Sequence, residues 1–148
     1  MKKFLIIGSP ISHSMSPKIH NYWFKENNID ANFEKKEPKK SEIQNIITKI
    51  KSMEIHGMNV TVPYKQEVIQ YLETLSEIAK KTNSVNTIFN KDGKVHGDNT
   101  DVSGFENSII SNKLNLQNKS VQILGAGGVV PSIILGLRNL KVGKIYVS

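Results

Sequence analysis

Residues 121–147 constrain this chain more than any other stretch. Val121–Leu124 predicts a short buried strand, and Gly125-Ala126-Gly127-Gly128 follows it. Apolar residues then recur at helical spacing to about residue 140, and Ile145–Val147 opens another apolar run. A strand that turns through glycines into a helix and returns as a strand is a β-loop-α-β unit. Its two strands lie parallel, with the helix across one face. The rest of the chain keeps the same alternation, which excludes an all-helical bundle and an all-β sandwich and makes the fold class α/β.

The earlier segments carry their own signals. Residues 3–8 predict a buried strand ended by Gly8-Ser9-Pro10. Ser16-Pro17 has the pattern of an N-cap followed by the first helical residue, with Ile19, Tyr22 and Trp23 on one face of the helix. Residues 31–36 are a strand candidate. Ser41-x-x-Gln44 has the spacing of a capping box, and Ile43, Ile46, Ile47 and Ile50 follow at helical spacing. Met58, Val60 and Val62 alternate with Asn59 and Thr61 in a strand over 57–62 that Pro63 closes. Helices are expected near 65–72, 75–81 and 102–112. Asp92-Gly93 marks a hairpin between 84–90 and 94–97. Two units result: residues 1–101, and residues 102–148 in the order of a dinucleotide-binding fold. Two strands are too few for a doubly wound sheet, so the second unit is expected to be incomplete.

Composition removes whole classes of function. Among 148 residues there is no cysteine, so disulfides and thiolate metal sites are excluded. His13, His20, His56 and His96 show no metal-ligand spacing, and no metal is expected. No apolar run approaches the roughly 20 residues of a membrane helix, and the apolar stretch in Met1–Gly8 is too brief for a signal peptide. The expectation is a soluble, cytoplasmic protein with no membrane partner. The net charge is +7, but Arg138 is the single arginine among 20 basic residues. No basic stripe interleaves with aromatics, so no nucleic-acid partner is expected. A Lys/Asn/Ile-rich codon usage accounts for the charge, and the mild positive field favours anionic small ligands.

Three motifs carry chemistry. Gly125 and Gly127 fill the first two positions of G-x-G-x-x-G, while Val130 stands at the third. Such a loop lets backbone N–H groups at a helix N-terminus approach a pyrophosphate; without a ligand it is a tight turn. Asn59-Val60-Thr61-Val62-Pro63-Tyr64-Lys65 delivers a lysine to a strand end, facing the positive end of the helix expected there. Lys65 reads as a proton-transfer group or as a surface lysine. Gly97-Asp98-Asn99-Thr100-Asp101 sits where the first unit hands over to the second. Asp101 reads as a helix N-cap or as a carboxylate partner for Lys65 across a crevice between units. Ser14, Ser16, Thr61 and Asn86, as a set, suit a small polar ligand with a carboxylate and several hydroxyls.

Five phrases together resemble the shikimate dehydrogenase family: Ser12-His13-Ser14-Met15-Ser16-Pro17, Asn59 to Lys65, Ser84-Val85-Asn86-Thr87, Gly97 to Asp101, and Gly125-Ala126-Gly127-Gly128. They stand in the family's order and span the whole chain. The resemblance implies NADP-dependent reduction of 3-dehydroshikimate to shikimate, on the route to aromatic amino acids. It implies Lys65 as catalytic acid–base with Asp101 as its partner at the ring hydroxyls. It implies Ser14, Ser16 and Thr61 as holders of the substrate carboxylate and Asn86 as a hydroxyl ligand. Gly125, Ala126, Gly127, Gly128 and Val129 become the pyrophosphate loop, and Glu77 a cofactor-side contact. Two features depart from the family pattern: Asn83-Ser84 stands where Gly-Ala is usual, and Pro131 is unusual in the loop helix. The family's later Asn-Arg-Thr loop and returning helix have no counterpart in these residues. The expectation is therefore an N-terminal portion of such an enzyme, a monomer or homodimer when whole and inactive as 148 residues. The alternatives are a quinate/shikimate dehydrogenase and a short non-catalytic shikimate-binding relative.

Overall fold

The computed structural model describes residues 1–148. The strands are β1 (Lys2–Ile7), β2 (Ala31–Lys36), β3 (Gly57–Val60), β4 (Thr74–Leu75), β5 (Thr87–Lys91), β6 (Lys94–Asp98), β7 (Ser120–Ile123) and β8 (Lys144–Val147). The helices are α1 (Ser16–Glu26), α2 (Ile43–Lys51), α3 (Glu77–Thr82), α4 (Asp101–Ser111) and α5 (Val130–Asn139). Strands β1 to β6 form one sheet in the order β2-β1-β3-β5-β6-β4, and β7 pairs with β8 in a separate parallel ribbon. The first sheet is mixed. β1 runs parallel to both β2 and β3, and β5 runs antiparallel to β3 and β6.

One face of the large sheet holds the main core. Ile43, Ile46, Ile47 and Ile50 of α2 are all buried and pack on Ile7, Met58, Val60, Ile88 and Val95, as their spacing predicts. The hairpin turn falls at Asp92-Gly93 with φ of 53° and 80°, the left-handed pair that a two-residue turn between twisted strands requires.

Several expectations change. Ile19, Tyr22 and Trp23 are exposed, and α1 meets the sheet through His20, Asn21 and Phe24 instead. The His20 ring stacks on Phe33 at 4.3 Å, and burial holds it below the ordinary histidine range. The Asn21 side chain exchanges two hydrogen bonds with the Phe33 main chain, so it acts as a ladder partner for the edge strand β2. Ser16 is the first residue of α1 and does not cap it. The helix over 43–51 is entered through a 3₁₀ turn at Lys40–Glu42, where the Glu42 carboxylate accepts from the Lys39 N–H at 2.7 Å; Ser41 and Gln44 form no box. Strand β3 ends at Val60 and Val62 is exposed, because Asn59 pairs with Thr87, the first residue of β5, and Val62 runs past that cover. The helix expected over 65–72 is a turn followed by a 3₁₀ segment, Glu67–Tyr71, so no α-helix N-terminus faces Lys65. β4, two residues long, lies where no strand is expected, between the 3₁₀ segment and α3.

The departure at Asn83-Ser84 has a local reason. Asn83 ends α3 in the left-handed region at φ 47°, where glycine is unstrained and asparagine is the best-tolerated alternative. Ser84 is fully buried and its Oγ finds no partner. An unsatisfied buried hydroxyl costs about 1–3 kcal/mol. Ser84→Ala is therefore expected to raise unfolding stability by about 1 kcal/mol, read as a shift of the denaturation midpoint at unchanged m-value. A loss of stability would mean that the hydroxyl is satisfied.

Candidate active site

The topology gathers the chemistry-bearing segments along one edge of the large sheet. The carboxyl ends of β1, β2, β3 and β6 and the amino end of β5 all point there. The loop with Ser14 and the start of α1 with Ser16 follow β1. Thr61 follows β3, its N–H donating to the Ile7 carbonyl at 2.9 Å, and Ser9 N–H donates to the Val62 carbonyl at 3.0 Å. This crossing is tight: a Cβ on Gly8 would lie 2.5 Å from Thr61 Cγ2 and 3.1 Å from the Val62 carbonyl. Glu37, beyond β2, accepts from Ser9 Oγ and Ile11 N–H and holds the loop from outside.

Lys65 is placed by the turn after Pro63. Tyr64 N–H donates to the Thr61 carbonyl, and the buried Tyr64 hydroxyl donates to the Pro38 carbonyl at 2.7 Å. The Lys65 carbonyl accepts from Val85 N–H at 2.9 Å, so the turn is fastened to the segment that carries Asn86. From this anchor Lys65 Nζ reaches Asp101 Oδ2 at 2.6 Å, with the two side chains 11% and 23% exposed. The other carboxylate oxygen, Oδ1, accepts from Asn86 Nδ2 at 2.9 Å. Asp101 is the first residue of α4, not its cap. A charge-assisted hydrogen bond of this length, sheltered from water, fixes both groups. Thr100, which sequence reasoning missed, donates its N–H to Asn86 Oδ1 at 3.0 Å, and its Oγ1 lies 2.9 Å from Asn86 Nδ2. The signal was its place beside Asp101 in the same phrase.

Across from Lys65 lies the glycine loop. A cleft of about 470 Å³ is lined by Val62, Pro63, Lys65 and Gln66 on one side and by Ala126, Gly127, Gly128, Val130 and Pro131 on the other. Gly125 turns the chain at φ 99°, a conformation that disfavours any side chain. A methyl group added at Gly127 or Gly128 would meet no protein atom within 4 Å. Packing within the chain does not require those glycines, whereas close approach of a bulky anion does. Val129 stands at the N-cap position of the 10-residue α5 and lies exposed. The N–H groups of Val130 and Ser132 are taken by the Gly127 and Val129 carbonyls and Pro131 has none, so the main-chain donors offered to the cleft are those of the loop, Ala126 to Val129. These residues fit a dinucleotide pyrophosphate. Glu77 is absent from the cleft lining. It lies in the first turn of α3 with its carboxylate 2.7 Å from Lys80, which holds it below the usual carboxylate range. No helix is long and apolar enough to cross a membrane, and no group of three His, Asp or Glu side chains is arranged to hold a metal ion.

The fold and this edge define an α/β unit in which a sheltered lysine–aspartate pair faces a glycine loop. Over residues 6–88 the chain matches the family model of the shikimate dehydrogenase substrate binding domain. It is 50% identical over 147 residues to the shikimate dehydrogenase (NADP(+)) of Pelagibacter ubique (strain HTCC1062), covering 99% of this chain and 56% of that protein. Shikimate dehydrogenase 1 from Peptoclostridium difficile superposes with a TM-score of 0.92 at 35% identity, covering 99% of this chain and 54% of the other. The shikimate 5-dehydrogenase from Listeria monocytogenes, in complex with shikimate and NAD, gives 0.90 at 29% identity, with 99% and 51% covered. The chain belongs to the shikimate dehydrogenase family, as its five phrases predict. It spans about half the length of the curated relatives it matches.

Proposed function

We propose that residues 1–101 form the shikimate-binding, catalytic unit of an NADP-dependent shikimate dehydrogenase and that residues 102–148 begin its cofactor-binding unit. The observation that carries this reading is the Lys65–Asp101 pair, closed by Asn86 and opposed by the glycine loop. The bound cofactor supplies the hydride for the ring carbonyl of 3-dehydroshikimate. Lys65 holds a proton at Nζ and delivers it to the ring oxygen as negative charge develops there. Asp101 remains a carboxylate, orients Nζ and accepts from a ring hydroxyl, while Asn86 holds the amide side of the same corner. The hydroxyls of Ser14, Ser16 and Thr61 donate to the substrate carboxylate, which keeps the ring in one orientation over Lys65. In the pyrophosphate loop, Gly125 makes the turn with its N–H on the Ser148 carbonyl, and Ala126, Gly127, Gly128 and Val129 supply main-chain N–H groups to the pyrophosphate. The name of the Pelagibacter relative supports NADP, and the ligands of the Listeria neighbour support shikimate.

Binding tests this without turnover. Shikimate added to the isotope-labelled 148-residue chain is expected to move the amide signals of Ser14, Ser16, Thr61, Lys65, Asn86 and Asp101 and to leave those of α2 in place. Equal shifts at equal concentrations of quinate would move the assignment to a quinate/shikimate enzyme. An unchanged spectrum at millimolar shikimate would end the reading.

A further inference from the structure

Asn99 is a buried amide, 1% exposed, next to the acid–base pair but not part of it. Its Oδ1 accepts from Asp101 N–H at 2.9 Å. Its Nδ2 lies 3.1 Å from Thr82 Oγ1, 3.0 Å from the Ser84 carbonyl and 2.9 Å from Ser132 Oγ. Only one orientation of the amide allows this. Turned over, its NH₂ would face the Asp101 N–H and its oxygen would face the Ser84 carbonyl. Thr82 Oγ1 spends its own proton on the Ile78 carbonyl at 2.8 Å, so it faces Asn99 as an acceptor.

The four partners belong to three helix ends. Thr82 and Ser84 flank the end of α3, Asp101 opens α4, and Ser132 lies in the first turn of α5. The Asp101 N–H is one of the donors a helix start leaves without an intrahelical partner. Thr100, the cap residue, supplies no side-chain acceptor there. Asn99 supplies it from two residues upstream.

We propose that Asn99 is a positioning residue: through Oδ1 it aims Asp101 at Lys65, and through Nδ2 and Ser132 it ties the helix of the glycine loop to that aim. Asn99 acts through Asp101 and touches no ligand. The functional meaning of the aim rests on the acid–base reading above. The geometric assignment does not.

Two measurements on the 148-residue chain test it without ligand. Asn99→Ala is expected to speed hydrogen exchange of the Asp101 amide about fivefold relative to the middle of α4, the factor that loss of one ordinary hydrogen bond gives. The Lys65 ammonium signal, held by Asp101, is expected to broaden with it. Asn99→Ser keeps an oxygen that can accept from the N–H two residues on. It is expected to restore both signals while losing the contact to α5, a rescue that a purely space-filling role would not give. Ser132→Ala is expected to shift the Asn99 side-chain amide signal and leave Asp101 protection within about twofold. Retained protection and a sharp Lys65 signal in a folded Asn99→Ala chain would overturn the assignment. Loss of both in a folded Asn99→Ser chain would do the same, and this comparison with wild type decides the matter if Asn99→Ala does not fold. Loss of Asp101 protection in Ser132→Ala would mean that α5, not Asn99, sets the aim. A chain that fails to bind shikimate would sink the functional reading and leave these outcomes intact.

Discussion

In an active dehydrogenase that carries residues 1–148, Lys65→Ala is expected to lower kcat by roughly 10²–10⁴-fold and to raise KM far less. Lys65 Nζ is 2.6 Å from Asp101 and fastened by Tyr64 and Val85 to the edge where substrate would lie. Removing it takes away the proton delivered as charge develops on the ring oxygen, an interaction made in the transition state. The three hydroxyls proposed for the substrate carboxylate remain, so ground-state binding survives in large part. Steady-state kinetics of wild type and variant decide the matter. A variant within threefold of wild type in kcat would remove Lys65 from the mechanism and leave it a structural partner of Asp101.

The second large effect concerns residues 1–148 by themselves. Purified, they are expected to turn over 3-dehydroshikimate with NADPH at less than a hundredth of an ordinary rate of about 10 s⁻¹. Hydride transfer needs the reacting atoms held about 3–3.5 Å apart. A doubly wound sheet binds its dinucleotide across strands from both halves. Here the glycine loop lies within a single parallel pair, after β7 and before α5 and β8, with no further strand on either edge. Leu124 is 82% exposed, and Tyr146 and Val147 are also uncovered. From Ser120 onward only two apolar side chains are buried, Val130 and Leu137 of α5. NADPH absorbance with excess 3-dehydroshikimate reads the result. Turnover above about 0.1 s⁻¹ would mean a compact cofactor site within these residues.

The features legible in the sequence were the ones settled locally. Asp92-Gly93 dictates its turn because few other residues accept two left-handed conformations in succession. The four isoleucines of α2 dictate a buried face by spacing alone. Lys65 and Asp101, 36 residues apart, were legible as a candidate pair beside the plainer readings of each, a surface lysine and a helix cap; what brings them to 2.6 Å is long-range, because it depends on β3 and β6 ending and β5 beginning at one edge. The misreadings share this origin. On α1, spacing favoured Ile19, Tyr22 and Trp23, but the strand partner that α1 must satisfy is the Phe33 main chain, and Asn21 does that. After Pro63 a helical spacing was present, yet the chain tightens into a 3₁₀ segment as it returns to β4, whose pairing with β6 no two-residue pattern can announce. Nothing in the sequence sets Asn99 apart from the other asparagines, because an amide's worth depends on which groups surround it.

The crossing of Gly8 and Thr61 bears on how this edge can change over generations. With a methyl of Thr61 lodged where a Gly8 side chain would stand, the rotamer of that threonine is chosen by a residue with no side chain of its own. A variant at position 8 would first swing the threonine, and with it the hydroxyl proposed to hold the substrate carboxylate. The two positions are therefore expected to drift together or not at all, and a lineage in which position 8 has acquired a side chain should show a different residue, or a different substrate preference, at position 61.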